Sequence, residues 1–189
     1  MLNFKKDIKF KKIENFLSKE EIEIYKEYFL IKHKNNTNEF DFIQNNNGDT
    51  ILYADALTES LLMQKKNIIE KETNLSLHPT YSFFRMYTMF SNLKKHSDRP
   101  SCEISVTVMV GSSGEKWPIF MDGASVELEP GDAVIYSGCD VKHWREEFSG
   151  DWHSQFFLHY VDKNGPHKEL NLDNRFYLGA PAWCRKNGI

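Results

Sequence analysis

The sequence predicts a mainly β protein, an antiparallel sandwich or jelly roll with two helices packed on one outer face. Two observations carry this prediction. Before Pro79, apolar residues recur at helical spacing in two segments. After Pro79, seven strand-length segments follow one another, separated by turn sequences such as SSGE, EPGD and FSGD. Many short antiparallel strands close into packed sheets, and amphipathic helices can then cover one of them.

The first helix is predicted over residues 18–31, in FLSKEEIEIYKEYFL. Ser18 and Glu21 have the spacing of a capping box, in which each side chain binds the backbone N–H of the other residue. The helix then places apolar residues on one face at helical spacing. These residues are Ile22, Tyr25 and Phe29.

The second helix is predicted in TESLLMQKKNIIEKETN, with Thr58 as its N-cap. Between the helices, the Asn-rich segment KHKNNTNEFDFIQNNNGD predicts a long loop that holds a short strand around Phe40–Ile43. The second helix has an apolar face that includes the stem of one lysine. That face consists of Leu61, Leu62, Lys65, Ile68 and Ile69.

The strand-length segments after Pro79 alternate apolar and polar residues or form short apolar runs, both of which are typical of strands. We therefore predict strands at residues 80–90, 102–110, 116–121, 125–130, 132–138, 142–148 and 152–162.

Composition indicates one globular domain. The 189 residues are 40% hydrophobic and 14% aromatic, enough for one core, whereas two independent domains would be cramped. We expect a single domain over residues 1–189, with an N-terminal helical support (1–78), a β core (79–163) and a C-terminal extension (164–189). The 24 Lys and Arg against 27 Asp and Glu give a net charge of −3, which predicts neither nucleic acid nor a membrane as a partner.

The segment MLNFKKDIKFKKIENF has scattered lysines and lacks the roughly 7–15-residue apolar core of a signal peptide, and no later apolar run approaches the ~20 residues of a membrane span. We therefore expect a cytoplasmic protein. Cys102, Cys139 and Cys184 are an odd number without CxxC spacing. This pattern predicts free thiols rather than a disulfide framework or a structural zinc site.

Three residues have the character of metal ligands. His96 and Asp98 lie two apart ahead of a strand, and on an extended segment such residues share one face with Cβ atoms about 6.5 Å apart. His143 begins a later strand. Two imidazoles and one carboxylate can occupy one octahedral face and leave three open positions, which suits iron(II) and oxygen chemistry. The absence of cysteine ligands argues against a closed structural zinc site.

The surrounding sequence resembles the iron(II) and 2-oxoglutarate dependent oxygenases, specifically their prolyl 4-hydroxylase-like bacterial and phage members. The resemblance lies in PTYSFFRMYTMFSNLKKHSDRPSCEISVTVMV, WPIFMDG, LEPGDAVIYSGCDVKHWRE and GDWHSQFFLHYVDKNGP, and it covers roughly residues 54–166. It implies a double-stranded β-helix, the jelly-roll variant related to the cupins, for the β core. It also implies that His96, Asp98 and His143 hold Fe(II).

The resemblance further implies that 2-oxoglutarate and O2 are co-substrates, with ascorbate helpful in vitro. In such enzymes 2-oxoglutarate chelates the iron, and its C5 carboxylate lies deeper in the barrel. Tyr87 matches a strand tyrosine that lines this pocket. Ser105 and Thr107 alternate with apolar residues, so we expect the polar face of their strand to line it as well.

Many of these enzymes place a lysine or arginine nine to twelve residues after the second histidine ligand, to bind the C5 carboxylate. This chain has WHSQ there, residues 152–155. Two substitutes remain open: His153 if it is protonated, and Arg145, which lies two residues after His143 and can offer a bidentate fork. Arg99 and Arg85 are further candidates.

The function implied by the resemblance is that of a dioxygenase that hydroxylates an unactivated C–H bond and releases succinate and CO2. The same barrel also supports unrelated functions. A cupin-like metal-binding module without oxygenase activity, or a metal-dependent isomerase or hydrolase, is therefore the alternative. The sequence leaves open whether the substrate is a small molecule or a peptidyl group, and it does not predict the oligomeric state.

Overall fold

The computed structural model describes Phe4, residues 9–35 and residues 48–187, in which the chain forms ten β-strands and two α-helices. The predicted strand around Phe40–Ile43 lies outside this part of the chain. Short 3-10 segments follow at Pro100–Cys102, Lys168–Asn174 and Ala182–Asn187. The helices are α1 (Lys19–Lys34) and α2 (Ala56–Thr73). The strands are β1 (Phe10–Ile13), β2 (Thr50–Tyr53), β3 (Leu77–Thr88), β4 (Leu93–His96), β5 (Ile104–Ser112), β6 (Ile119–Met121), β7 (Ala124–Val126), β8 (Ala133–Ser137), β9 (His143–Arg145) and β10 (Trp152–Asp162).

The strands form two antiparallel sheets, which confirms the mainly β prediction. The larger sheet has six strands in the order β1-β8-β5-β10-β3-β2, and the smaller has four in the order β4-β9-β6-β7. Every pairing between neighbouring strands is antiparallel. Because the chain crosses repeatedly between the two sheets from β3 onward, residues distant in sequence come together between them.

The central strands of the larger sheet are buried on both faces, and their even-numbered and odd-numbered side chains point to opposite faces. Even-numbered residues such as Phe84, Val106 and Phe156 point to the main apolar core. Odd-numbered residues such as Phe83 and Phe157 line a cavity on the opposite face. The larger sheet therefore separates an apolar core from an interior that contains polar side chains.

Helix α1 begins as predicted: Ser18 and Glu21 form the capping box, with both reciprocal hydrogen bonds present. It ends at Lys34, three residues beyond the predicted end. The predicted N-cap of the second helix was wrong. Asp55 caps α2 by accepting a hydrogen bond from the backbone N–H of Leu57, and the helix begins one turn earlier. Thr58 is instead buried in the first turn of α2, where its hydroxyl forms a hydrogen bond with the Ser82 hydroxyl.

Both helices contribute side chains to the apolar core on the even-numbered face of the larger sheet. The Phe29 ring stacks on Phe84 at a centroid distance of 3.6 Å. Each fully buried apolar side chain of this size contributes about 1.5–3 kcal/mol. Ile68, predicted on the apolar face of α2, is 40% exposed instead. The helical residues buried in this core are Tyr25, Phe29, Leu61, Leu62 and Ile69. Neither helix in the described ranges is long and apolar enough to cross a membrane.

Three short strands were not predicted from the sequence, and three predicted strands were too long. β1 and β2 lie within residues 1–78, where only helices and one short strand were predicted, and they form the two edges of the larger sheet. β4 ends at His96, the first metal-ligand candidate. The segments predicted at 116–121, 125–130 and 142–148 overlap strands of only three residues each, β6, β7 and β9. Strands of three or four residues carry too few alternations to be separated from loops.

Two ion pairs attach the C-terminal segment to the body of the protein. Arg175 pairs with Glu59 of α2, and both side chains are buried. Arg175 also donates to the Thr80 carbonyl at 3.0 Å. Asp173 accepts two hydrogen bonds from Arg99, at 2.8 and 2.7 Å. These contacts hold residues 168–175 against β3 and the loop after β4.

Arg175→Met is expected to lower the free energy of unfolding by roughly 3–5 kcal/mol, because it leaves the buried Glu59 carboxylate without its partner. Urea denaturation followed by circular dichroism measures this change. The matched control is Lys116→Met, which removes an ion pair between Lys116 and Glu127 that is exposed on both sides. The control is expected to leave the midpoint unchanged. Equal midpoints for the two variants would contradict the role of the buried pair.

Candidate metal centre

His96, Asp98 and His143 meet where β4 ends and β9 begins. Antiparallel pairing places His96 directly opposite His143, and Asp98 follows β4 by two residues. Oδ1 of Asp98 lies 3.5 Å from Nε2 of each histidine. One possible ligand atom from each residue lies within 4.8 Å of the other two. The three predicted ligands therefore converge on one point.

Backbone carbonyls set the tautomer of both imidazoles. Nδ1 of His96 lies 2.7 Å from the Lys94 carbonyl oxygen, and Nδ1 of His143 lies 3.1 Å from the Val141 carbonyl oxygen. A carbonyl oxygen only accepts, so each Nδ1 carries the proton and donates it. In the neutral form of each ring, which is the form that binds a metal, Nε2 therefore has the lone pair, and it is directed at the point of convergence.

The Asp98 carboxylate is oriented through its second oxygen. Oδ2 accepts a hydrogen bond from the Ser105 hydroxyl at 2.9 Å, and that hydroxyl lies 2.9 Å from Nδ1 of His159. Burial lowers the pKa of His159 to about 4, so its ring is neutral and Nδ1–H can donate to Ser105. Burial opposes ionisation of Asp98, but the His143 and His96 imidazoles hold its pKa below the usual range. Oδ1 is thus an ionised ligand left for a cation.

This donor set fits iron(II). Two imidazole nitrogens and one carboxylate oxygen, with no thiolate, form the facial arrangement found in non-haem iron sites. A second possible ligand group shares Asp98 and adds Cys102 and His159. It is the poorer choice, because burial raises the pKa of the Cys102 thiol and Ser105 already binds Nδ1 of His159.

An inner cavity of about 150 Å³ extends from the three ligands into the interior. Its lining includes Tyr136 and Phe157 as walls, with Arg85 and Tyr87 as the polar residues distant from the metal ligands. Arg85 on β3 is paired with Gln155 on β10. Gln155 lies four residues from His159 along β10, a distance of about 13 Å at a rise of roughly 3.3 Å per residue. The cavity is therefore polar at both ends.

Arg145 does not line the inner cavity but is linked to it through Gln155 and Tyr87, and it borders a separate cavity of about 290 Å³. It is 2% exposed, and its guanidinium donates to the Trp117 carbonyl and, at 2.7 Å, to Oε1 of Gln155. Gln155 donates in turn to the Tyr87 hydroxyl at 3.3 Å. Nε of Arg145 has no hydrogen-bond partner. Burial lowers the pKa of Arg145 to about 10, so it remains a cation at neutral pH.

The end of the inner cavity formed by Arg85 and Tyr87 is linked to an uncompensated positive charge. Arg85 has its guanidinium 4.3 Å from the centre of the Tyr87 ring, but the buried Asp49 neutralises it through contacts of 2.7 and 2.8 Å. Within the part of the chain that the structure describes, no carboxylate pairs with Arg145. A buried charge without a counterion is costly, so this arrangement favours binding of an anion.

The other predicted co-substrate residues occupy different places. His153 does not line the inner cavity: its ring contacts Trp117 and Phe148 and lines a separate cavity of about 260 Å³. Burial lowers the pKa of His153 well below its usual value, so it is neutral. Ser105 lies at the metal end. Thr107 faces the interior, and its Oγ1 is buried without a hydrogen-bond partner.

The sequence predicted no site role for His159 or Gln155, and Arg99 was among the candidates to bind the C5 carboxylate. The structure places His159 beside Ser105 and Gln155 beside Arg145, whereas Arg99 pairs with Asp173 outside the inner cavity. A signal for the first two was present in WHSQFFLHY, in which every second residue from His153 onward belongs to the interior face.

No family model matches the sequence, and no curated protein matches it. Solved structures do match. A prolyl-4-hydroxylase from Pseudomonas putida aligns with a TM-score of 0.65 and 14% identity, over 82% of this chain and 92% of that one. An oxidoreductase of the 2OG-Fe(II) oxygenase family from Burkholderia pseudomallei aligns with a TM-score of 0.61 and 11% identity, over 88% and 90% of the two chains. The chain has the fold of the iron(II) and 2-oxoglutarate oxygenases.

A third structure with this oxygenase fold is the non-haem α-ketoglutarate dependent carbocyclase SnoK from nogalamycin biosynthesis. It has a TM-score of 0.68 and 12% identity, and the alignment covers 92% of this chain and 88% of SnoK. The predicted resemblance and the predicted jelly roll are thereby confirmed at the level of the fold. In this oxygenase fold, the convergence of His96, Asp98 and His143 forms the candidate metal centre.

Proposed function

We propose that this protein is an iron(II) and 2-oxoglutarate dependent oxygenase that hydroxylates a C–H bond. The observation that carries the proposal is the polarity of the inner cavity. Three ligands for a divalent cation converge at one end, and the unpaired Arg145 cation is linked to the other through Gln155 and Tyr87. 2-Oxoglutarate has matching ends: a keto acid that chelates a metal and a free carboxylate that needs a cation.

The metal would be held by Nε2 of His96, Nε2 of His143 and Oδ1 of Asp98. When bound, iron(II) with 2-oxoglutarate supplies the activation of O2 for substrate oxidation, with release of succinate and CO2. Ser105 and His159 keep the carboxylate in its ligating orientation by holding Oδ2. Such supporting hydrogen bonds raise metal affinity because they fix the geometry before the ion binds.

The C5 carboxylate of 2-oxoglutarate would bind Arg145 and the Tyr87 hydroxyl. Gln155 already joins these two residues, since it accepts from Arg145 and donates to Tyr87. Nε of Arg145 and Oγ1 of Thr107 are donors that the protein itself leaves unused. Charge-assisted hydrogen bonds in a buried site are strong, so these groups can offset the cost of removing a carboxylate from water.

Aromatic walls keep the inner cavity dry. Phe83, Phe157 and Tyr136 line it between the two polar ends. Exclusion of water strengthens the electrostatic contacts inside and protects reactive species from side reactions. A metal-binding module without a co-substrate, the alternative function, has no use for an unpaired Arg145 linked to such a cavity.

Purified protein loaded with iron(II) is expected to convert 2-oxoglutarate slowly to succinate without any other substrate, because three metal positions remain open to 2-oxoglutarate and O2. The assay measures succinate with ascorbate present. Argon and replacement of iron by zinc should each suppress the conversion. Equal succinate in aerobic and anaerobic samples would contradict the oxygenase function.

A further inference from the structure

A larger, outer cavity adjoins the inner one. Its volume is about 500 Å³, within the roughly 300–1,000 Å³ typical of small-molecule sites. Tyr81 and Phe83 line both cavities, so a molecule seated against them in the outer cavity lies at the border of the cavity that contains the metal ligands. The C-terminal segment forms another part of its wall through Asp173 and Trp183. The outer cavity is lined chiefly by Ile51, Tyr53, Tyr81, Phe83, Arg99 and Trp183.

The charged groups in this lining cancel. Arg99 donates two hydrogen bonds to Asp173, one to each carboxylate oxygen, at 2.8 and 2.7 Å. Tyr53 donates a further one to Asp173 at 2.5 Å. Arg99 and Asp173 are the only charged residues in the described lining, so the cavity offers no unpaired charge to a ligand.

Apolar side chains make up most of the rest of the lining, and four of its residues are aromatic. The Tyr53 and Tyr81 rings stack at a centroid distance of 4.9 Å and an interplanar angle of 27°. The Arg99 guanidinium lies 4.6 Å from the centre of the Tyr81 ring, which fixes that ring from a further side. Trp183 is 45% exposed and presents ring surface to the cavity. Because Tyr53 and Tyr81 are buried against each other and Arg99, the ring surface left for a ligand is that of Trp183 and the half-buried Phe83. Such surface favours stacking with a planar or otherwise flat apolar ring.

We propose that the outer cavity binds the prime substrate, and that this substrate is an uncharged small molecule built on an aromatic or other flat apolar ring. The assignment as substrate rests on the proposed oxygenase function. A free amino acid brings an ammonium and a carboxylate, and burying either without a counterion is costly. A peptide would bring backbone N–H and C=O groups against walls that are largely apolar, which is costly for the same reason.

The test compares three probes with one bicyclic ring: uncharged 2-naphthol, the anion 2-naphthoate and the cation 2-naphthylmethylammonium. Binding is measured by calorimetry on metal-free protein near neutral pH, so the result does not depend on iron chemistry. We expect 2-naphthol to bind at least about tenfold more tightly than either charged probe. Comparable affinity for 2-naphthoate would overturn the proposal.

Trp183→Ala is expected to weaken 2-naphthol binding at least about fivefold, because it removes an aromatic face. The matched control is Trp144→Ala, since Trp144 stacks on Phe120 at 5.1 Å and does not line the outer cavity. The control should leave binding unchanged. Equal effects of the two substitutions would show that 2-naphthol binds elsewhere and would overturn the proposal.

Asp173→Asn is expected to shift the preference of the outer cavity toward the anionic probe, a change that a merely structural role of Asp173 would not produce. Asparagine keeps the shape and tolerates the φ of 54° at this position, but it frees the Arg99 charge. We expect 2-naphthoate to bind this variant at least about tenfold more tightly than it binds the natural protein. The affinity for 2-naphthol should change by less than about threefold. Equal weakening of both probes would contradict the charge cancellation.

Proximity to the metal is tested with Mn²⁺, whose binding is verified by electron paramagnetic resonance. Bound Mn²⁺ should broaden the proton NMR signals of 2-naphthol, and His143→Ala should abolish the broadening. Binding of 2-naphthol without broadening in the Mn²⁺-loaded protein would overturn its placement beside the metal. Failure of Mn²⁺ to bind, or of succinate to form, would instead reject the proposed function, while the probe preferences would still report on the cavity.

Discussion

His143→Ala is expected to weaken iron(II) binding by more than about 100-fold and to abolish oxygen-dependent succinate formation. Loss of a supporting residue outside the ligand set already costs roughly 10–100-fold in metal affinity, and loss of a direct ligand costs more. The fold should persist, because backbone pairing and the apolar core hold the sheets without the metal. Competition with a colorimetric chelator measures the affinity, and circular dichroism measures the fold.

The matched control is His78→Ala, which removes a histidine of β3 that lies outside the metal centre. Iron affinity and succinate formation should be unchanged in this variant. The double variant Asp98→Ala, His143→Ala retains only one of the three ligands. Full iron occupancy in the double variant would contradict the ligand assignment.

Arg145→Met is expected to raise the KM for 2-oxoglutarate by about 30-fold or more, without a comparable loss of iron affinity. The change corresponds to roughly 2–5 kcal/mol, the cost of leaving a buried charge without its partner. In the absence of 2-oxoglutarate the variant should be as stable as the natural protein or more stable, because an uncompensated buried cation has been removed. A residue with a purely structural role would show the opposite stability change.

The pH dependence of this KM separates Arg145 from His153. The pKa of Arg145, lowered by burial to about 10, means that its charge is retained below that pH and lost as pH rises through it. KM should therefore be flat from about pH 6 to 8 and should rise near pH 10. His153 is neutral over this range, so His153→Ala should change KM by less than about twofold. A KM that rises between pH 6 and 8 would favour His153.

Should Arg145→Met leave the KM within about twofold of the natural value, the uncompensated charge is not the carboxylate site. Arg85 is then the next candidate, since it lines the inner cavity beside Tyr87. Its Asp49 partner makes it the weaker anion ligand of the two. Measuring the KM for 2-oxoglutarate of Arg85→Met would then decide which arginine binds the carboxylate.

Local features of the sequence were enough to predict the candidate metal ligands and much of the fold. The capping box at Ser18, the alternation along β5 and β10 and the turn sequences between strands each act within a few residues, so they can be recognised without the tertiary structure. The spacing of His96 and Asp98 places two ligands together for the same reason. His143 was added as the histidine at the start of a later strand that completes a set of two imidazoles and one carboxylate, and the fold places it opposite His96.

Only the tertiary structure decided which interior residues meet. Both Arg145 and His153 lie on strands and face inward, and the sequence left them as equal candidates. Barrel closure places Trp117 against His153 and aligns Arg145 with Gln155, a contact between the two sheets. Contacts between residues far apart in sequence also set the register of the short strands β4 and β9. The same holds for the contact between Asp173 of the C-terminal segment and Tyr53. Such contacts depend on how distant segments share one core, and local spacing carries no information about that arrangement.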